Sequence, residues 1–137
     1  MEFYSKSIEQ LENDYWKELS NYPSGLVKNC YDYRKIPLFE LTIEQLRTLI
    51  SQNIGTEYLI DLVFEKLESN VLTEGDFYQG DLLISTSLID EKFWKIHLTK
   101  LNRFEKIVKQ NSEFIILEMG EKKFDELTDK IKELASA

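Results

Sequence analysis

Cysteine and histidine each occur once in the 137 residues, as Cys30 and His97. A single cysteine excludes an intramolecular disulfide and a cysteine-based zinc site, and it favours a reducing compartment. A single histidine leaves a zinc ion short of ligands. Nucleophilic catalysis would need His97 beside Cys30 or a serine and oriented by a third group, and no local pattern supports that. His97 instead falls on an apolar stripe, as a core or boundary histidine. Long apolar runs are also missing: Phe114-Ile115-Ile116-Leu117 is far short of the roughly 20 residues that cross a bilayer. The first residues lack the charged-then-apolar layout of a secretory signal. No Gly-rich loop with a following Lys cradles a phosphate, and no basic patch is interleaved with exposed aromatics. Positive charge is in deficit, with 17 Lys and Arg against 25 Asp and Glu and a net charge of −8. Nucleic acid and anionic membranes are repelled by such a surface, and a basic protein is attracted. A cytoplasmic protein without cofactor or metal is expected.

What is present is helical signal. Ser7-Ile8-Glu9-Gln10 and Thr42-Ile43-Glu44-Gln45 both have the form of a capping box, and Leu41 and Leu46 sit where a hydrophobic staple would. From the first box, Ile8, Leu11, Tyr15, Trp16 and Leu19 recur at steps of three and four, which predicts one helix running to the Asn21–Gly25 turn. Residues 26–37 fit either a short helix or an extended link closed by Pro37. After the second box, Ile43, Leu46, Leu49 and Ile50 face inward until Gly55, a natural C′ residue. Thr56 is placed to cap the next helix, whose Tyr58, Leu59, Leu62, Val63, Phe64 and Leu67 leave little polar face, as in a helix buried at the centre of a fold.

Further on, Asp76 with Gln79 reads as an N-cap and its N3 partner. A helix beginning near Asp90 carries Phe93, Trp94, His97, Leu101, Phe104, Ile107 and Val108 inward, and Phe124, Leu127, Ile131 and Leu134 mark a C-terminal helix. The run from Phe114 to Leu117 fits a strand or a buried helical turn. No repeat and no linker divides the chain. The expectation is one all-α domain over residues 1–137, a bundle of five to seven helices with a short strand near 114–118.

Paired carboxylates can hydrolyse glycosides or hold a divalent ion without histidine, and Asp76 and Asp81 are the candidates. Their spacing does not fit the calcium-loop pattern, and Gly75-Asp76 and Gly80-Asp81 suit turns and caps better. The acids are nevertheless unevenly placed. Residues 1–55 carry 8 acids and 6 bases, residues 56–90 carry 8 and 1, and residues 91–137 carry 9 and 10. A block of −7 in which Lys66 is the only base, flanking Phe77 and Tyr78, suits recognition of a basic protein: the charges speed encounter and the rings supply buried contact. A plain solvated face explains the same run equally well.

The series Pro23-Ser24-Gly25-Leu26-Val27, Leu41-Thr42 through Leu46-Arg47, Gln52-Asn53-Ile54-Gly55, Tyr58-Leu59-Ile60, Glu74-Gly75-Asp76-Phe77-Tyr78-Gln79-Gly80-Asp81-Leu82-Leu83 and Phe93-Trp94 resembles a family of immunity proteins of bacterial contact-dependent growth inhibition (CDI). The resemblance covers about residues 5–110, and the 74–83 stretch is its most specific part. It implies an intracellular antidote, not an enzyme, that binds the C-terminal toxin domain delivered by a neighbouring cell or made by its own. Many such toxins are nucleases with basic clefts, which an acidic protein can occupy without doing chemistry. The expected toxin-binding residues are Glu68, Glu74, Asp76, Phe77, Tyr78 and Asp81. A helical adaptor for an unrelated basic protein is the alternative.

Overall fold

The computed structural model describes residues 2–136, and the regular structure among them is helical. A 3-10 turn, Glu2–Ser5, leads into α1 (Ile8–Glu12), α2 (Gly25–Tyr33), a second 3-10 turn at Leu38–Glu40, α3 (Ile43–Ser51), α4 (Thr56–Ser69), α5 (Asp81–Ser87), α6 (Glu91–Ile96), α7 (Leu98–Gln110), α8 (Ser112–Met119) and α9 (Glu121–Ser136). The all-α class stands, with nine α-helices among the described residues in place of five to seven. The short strand expected near 114–118 is helix α8. A run of four apolar residues has no period of its own, and here Ile115 alone is fully buried while Gly120, at φ +92°, ends the turn.

α4 runs through the centre. Leu59, Ile60, Leu62, Val63, Phe64 and Leu67 are all buried, each such side chain contributing about 1.5–3 kcal/mol relative to an exposed one. α3 and α5 pack together on one side of it, α7 on another, and α9 spans α5, α6, α7 and α8. A stack of rings joins the layers: Phe64 of α4 faces Phe104 of α7 at 6.3 Å, and Trp94 of α6 faces the same Phe104 at 5.6 Å. Both capping boxes form as read, Ser7 with Gln10 and Thr42 with Gln45, and Leu41 and Leu46 are buried. Asp90 caps α6 through the Lys92 amide.

Several element boundaries differ from expectation, among them the end of α3, which stops at Ser51 short of Gly55. The first helix stops at Glu12 because Asn13 turns left-handed (φ +51°), and residues 13–24 run as an irregular strap. The cause is a buried cation: Arg34 Nη2 donates to Glu12 Oε1 (2.7 Å) and to the Asp14 carbonyl (2.8 Å), while the Trp16 ring covers its guanidinium at 4.0 Å. Tyr15 and Leu19, expected on the inward stripe, are exposed. The helix begun at Asp90 breaks at His97 (φ −120°, ψ 60°), whose half-buried ring lies 4.5 Å from Phe93. At the start of α4 no side chain caps: Gly55 takes the N-cap at φ +64°, and Thr56 is buried. A Cβ on Gly55 would stand 2.8 Å from Ile8 Cδ1, so the glycine lets α1 rest on the head of α4.

Candidate functional site

Asn70 is the C-cap of α4, and its side-chain oxygen accepts the Leu72 amide and turns the chain into the 71–80 loop. Val71 and Leu72 are buried and hold the base of the loop in the core. The Gly80 amide donates to the Leu72 carbonyl (3.1 Å), and Glu74 and Gln79 form an isolated antiparallel bridge, so residues 74–79 fold back as a small hairpin.

Asp81 closes it from beneath. Its carboxylate accepts the Gly75 amide on Oδ1 (2.7 Å) and the Phe77 amide on Oδ2 (3.1 Å), with the residue 2% exposed. The helix therefore starts at Asp81 after Gly80 at φ +89°, and Asp76 is not its N-cap. Both oxygens of Asp81, expected among the toxin contacts, are engaged by the loop's own backbone amides. Asp76 is exposed and Asp81 buried, so the two carboxylates sit in different environments.

α3 grips the hairpin from the side. Glu44 Oε1 accepts the Asp76 amide (3.0 Å) and Arg47 Nε (2.7 Å), and Glu44 Oε2 accepts Arg47 Nη2 (2.7 Å). The bidentate pair fixes the guanidinium plane, which lies 4.5 Å from the centre of the Phe77 ring. That cation–π contact is worth about 0.5–1 kcal/mol at an exposed site. The hydrogen bonds from Arg47 hold the Glu44 carboxyl below its usual range against the opposing effect of burial, with the Asp76 amide adding to the shift. Tyr33 of α2 is close enough to feel both Glu44 and Asp76; burial first, then those carboxylates, push its hydroxyl pKa up. A Cβ on Gly75 would stand 2.5 Å from Glu44 Oε1 and 3.0 Å from Asp81 Oδ2, so any larger residue must displace the Glu44 carboxylate from its hydrogen bonds.

The outer side of this assembly is exposed Phe77 (67%) and Tyr78 (48%), with exposed Glu74 and Asp76 beside them in the chain. Of the six expected contacts, these four share one hairpin. Glu68 belongs to a different constellation, the α4–α7 seam: Arg103 Nη2 donates to Glu68 Oε1 (2.7 Å), and Lys100 and Arg103 both reach Asp61 (2.7 and 3.4 Å). The block of −7 is thus not one face. Asp61 and Glu68 are matched by α7 cations, Glu65 accepts the Tyr4 hydroxyl (3.0 Å), Asp81 is internal and Asp90 caps a helix. Glu44, Arg47 and Tyr33 were not among the expected site residues. Glu44 and Arg47 stand at i and i+3 on a helix, a spacing that signals an ion pair, but nothing in it reveals the hairpin that the pair holds.

Among the described residues no group of three or more His, Cys, Asp or Glu side chains could hold a metal ion, and no helix is long and apolar enough to cross a membrane. No curated protein and no solved structure matches the chain. The family of CDI immunity proteins does: its model matches residues 10–104, from within α1 into α7, and takes in α3, the hairpin and Asp81. The chain belongs to that family of CDI immunity proteins.

Proposed function

We propose that this immunity protein neutralises its cognate CDI toxin domain in the cytoplasm by stoichiometric binding through the 74–80 hairpin, and that the toxin is a nuclease with a basic cleft. The observation that carries the reading is a pair of solvent-facing aromatics, Phe77 and Tyr78, on a loop whose backbone is already locked by Asp81 and Glu44. A preorganised loop loses little freedom on binding, and rigid aromatic anchors give large contact area at low entropic cost. Glu74 and Asp76 carry the charge beside the anchors and suit a phosphate-binding surface. The contact set narrows to Glu74, Asp76, Phe77 and Tyr78, with Glu44, Arg47, Gly75 and Asp81 as the residues that position it.

The test is titration calorimetry against the toxin domain encoded immediately upstream, with protection of nucleic acid from that domain as the second readout. Phe77→Ala and Tyr78→Ala are each expected to weaken binding by about 1–3 kcal/mol, with the melting temperature unchanged for Tyr78→Ala and lowered only slightly for Phe77→Ala, which loses the contact with Arg47. Charge reversal at Glu74 and Asp76 is expected to slow association and reduce its salt dependence. Unchanged affinity in all four variants would refute the assignment of the hairpin, and a toxin without nuclease activity would refute its class.

A further inference from the structure

The family match ends at residue 104; α8, wholly beyond it, and a groove between α5 and α9, partly beyond it, present two uncovered surfaces that are complementary to each other. The first is convex. At 100° per residue, Phe114 and Leu117 share one side of α8, while buried Ile115 and half-buried Met119 share the other and face the body. Leu117 is 78% exposed, and exposed Glu113 and Glu118 flank the pair. No Lys or Arg occurs between Asn111 and Glu121. The ion pairs of the adjoining helices stop at Lys109–Glu105 and Lys123–Glu126, so these α8 acids have no cation among the described residues.

The second surface is concave. A groove of about 260 Å³ lies between the end of α5 and α9, with Ile84, Leu88 and Leu127 as its apolar part and Lys123 and Lys130 along it. Leu88 is 70% exposed. Glu126 engages Lys123 at 3.3 Å, while Lys130 has no acidic partner among the described residues.

Both surfaces are open in the same copy, so neither fills the other within one chain. We infer that α8 of one copy docks in the α5–α9 groove of a second, with Leu117 and Phe114 against Ile84, Leu88 and Leu127, and Glu118 toward Lys130. Each copy has one knob and one groove; placed reciprocally about a two-fold axis, the two contacts close a dimer, whereas one-way docking would carry the mass beyond two chains and overturn the inference. Two bodies at −8 also repel one another, which keeps the contact weak and makes added salt act in both directions. Charge exchange between the surfaces is the cleaner probe.

The experiment is sedimentation equilibrium of the full chain over about 10–500 µM, the range suited to small interfaces. The weight-average mass is expected to rise with concentration from 16.2 kDa toward twice that value. Leu117→Glu, Glu118→Lys and Lys130→Glu, all outside the core, are each expected to weaken association by at least about tenfold with unchanged thermal melting. An equimolar mixture of Glu118→Lys and Lys130→Glu restores attraction at both contacts, and the heavier species should return. A wild-type mass constant at that of one chain overturns the inference. So does a dimer that the single variants leave intact, or a mixture that stays monomeric.

Discussion

Removing the Asp81 carboxylate separates a residue that builds the hairpin from one that touches a partner. Asp81→Ala strands two amides, those of Gly75 at 2.7 Å and Phe77 at 3.1 Å, beneath a loop whose underside is closed. A hydrogen bond to an ionised acceptor contributes about 1.5–3 kcal/mol, and the released amides regain part of that from water once the exposed hairpin loosens. The net cost is about 3 kcal/mol, which for a domain of this size lowers the melting temperature by roughly 10 °C. Asp81→Asn keeps one carbonyl acceptor and should lose about half as much. Urea denaturation followed by circular dichroism measures the loss. Amide exchange at Gly75 and Phe77 localises it, and those two amides should lose protection before the core of α4 does. An Asp81→Ala protein that melts within about 2 °C of wild type with protected Gly75 and Phe77 amides would refute the reasoning. Tyr78→Ala is the control with the opposite signature, unchanged melting and weakened toxin binding.

Gly75→Ala should be destabilising without any change of charge, because its Cβ meets Glu44 Oε1 and Asp81 Oδ2; a melting temperature equal to wild type would count against the packed hairpin. Glu44 has a carboxyl pKa lowered in the fold, so its contribution is fully present above the unfolded value near 4.5 and is lost as pH falls through the lower folded value. Glu44→Gln should therefore flatten the acid limb of a urea-midpoint profile below that pH, and an unaltered limb would remove Glu44 from the account. Tyr4, pushed up to about 12 by burial and then by its hydrogen bond to Glu65, should give a late ionisation step in an ultraviolet titration, and Tyr4→Phe should delete that step. Arg34→Leu takes away the anchor of the 13–24 strap; trypsin should then cut after exposed Lys17 several times faster, while the α4 core keeps its exchange protection.

The capping boxes at Ser7 and Thr42 and the apolar period of α4 and α9 were legible because each is encoded within a few residues. The end of α1 was not, because the competitor for Glu12 and Trp16 is Arg34, which comes from another element. Nothing local says that an arginine 18 residues after Trp16 will be buried beneath its ring. The hairpin shows the same limit more sharply. Its residues were picked out as a group, and Phe77 and Tyr78 do face solvent. The inward turn of Asp81 and the grip of Glu44 across 32 positions follow only from tertiary packing. The charge block failed as a single face because α4 and α7, 35 to 42 residues apart, bring opposite charges together at their seam. Charge summed along a chain says little about charge summed over a surface.

The hairpin is held mainly by groups other than its two exposed rings. Asp81 and Glu44 take hold of backbone amides, Gly75 supplies the clearance, and Leu72 roots the base. Amides are the same whatever side chain follows, so the identities of residues 77 and 78 are nearly uncoupled from folding, apart from the small contact between Phe77 and Arg47. Under the proposed function, such a pair of positions can be rewritten for one toxin after another while the scaffold stays fixed. A library randomised at 77 and 78 alone should yield mostly folded proteins with altered partners, which makes the hairpin a ready graft point for new binding specificities.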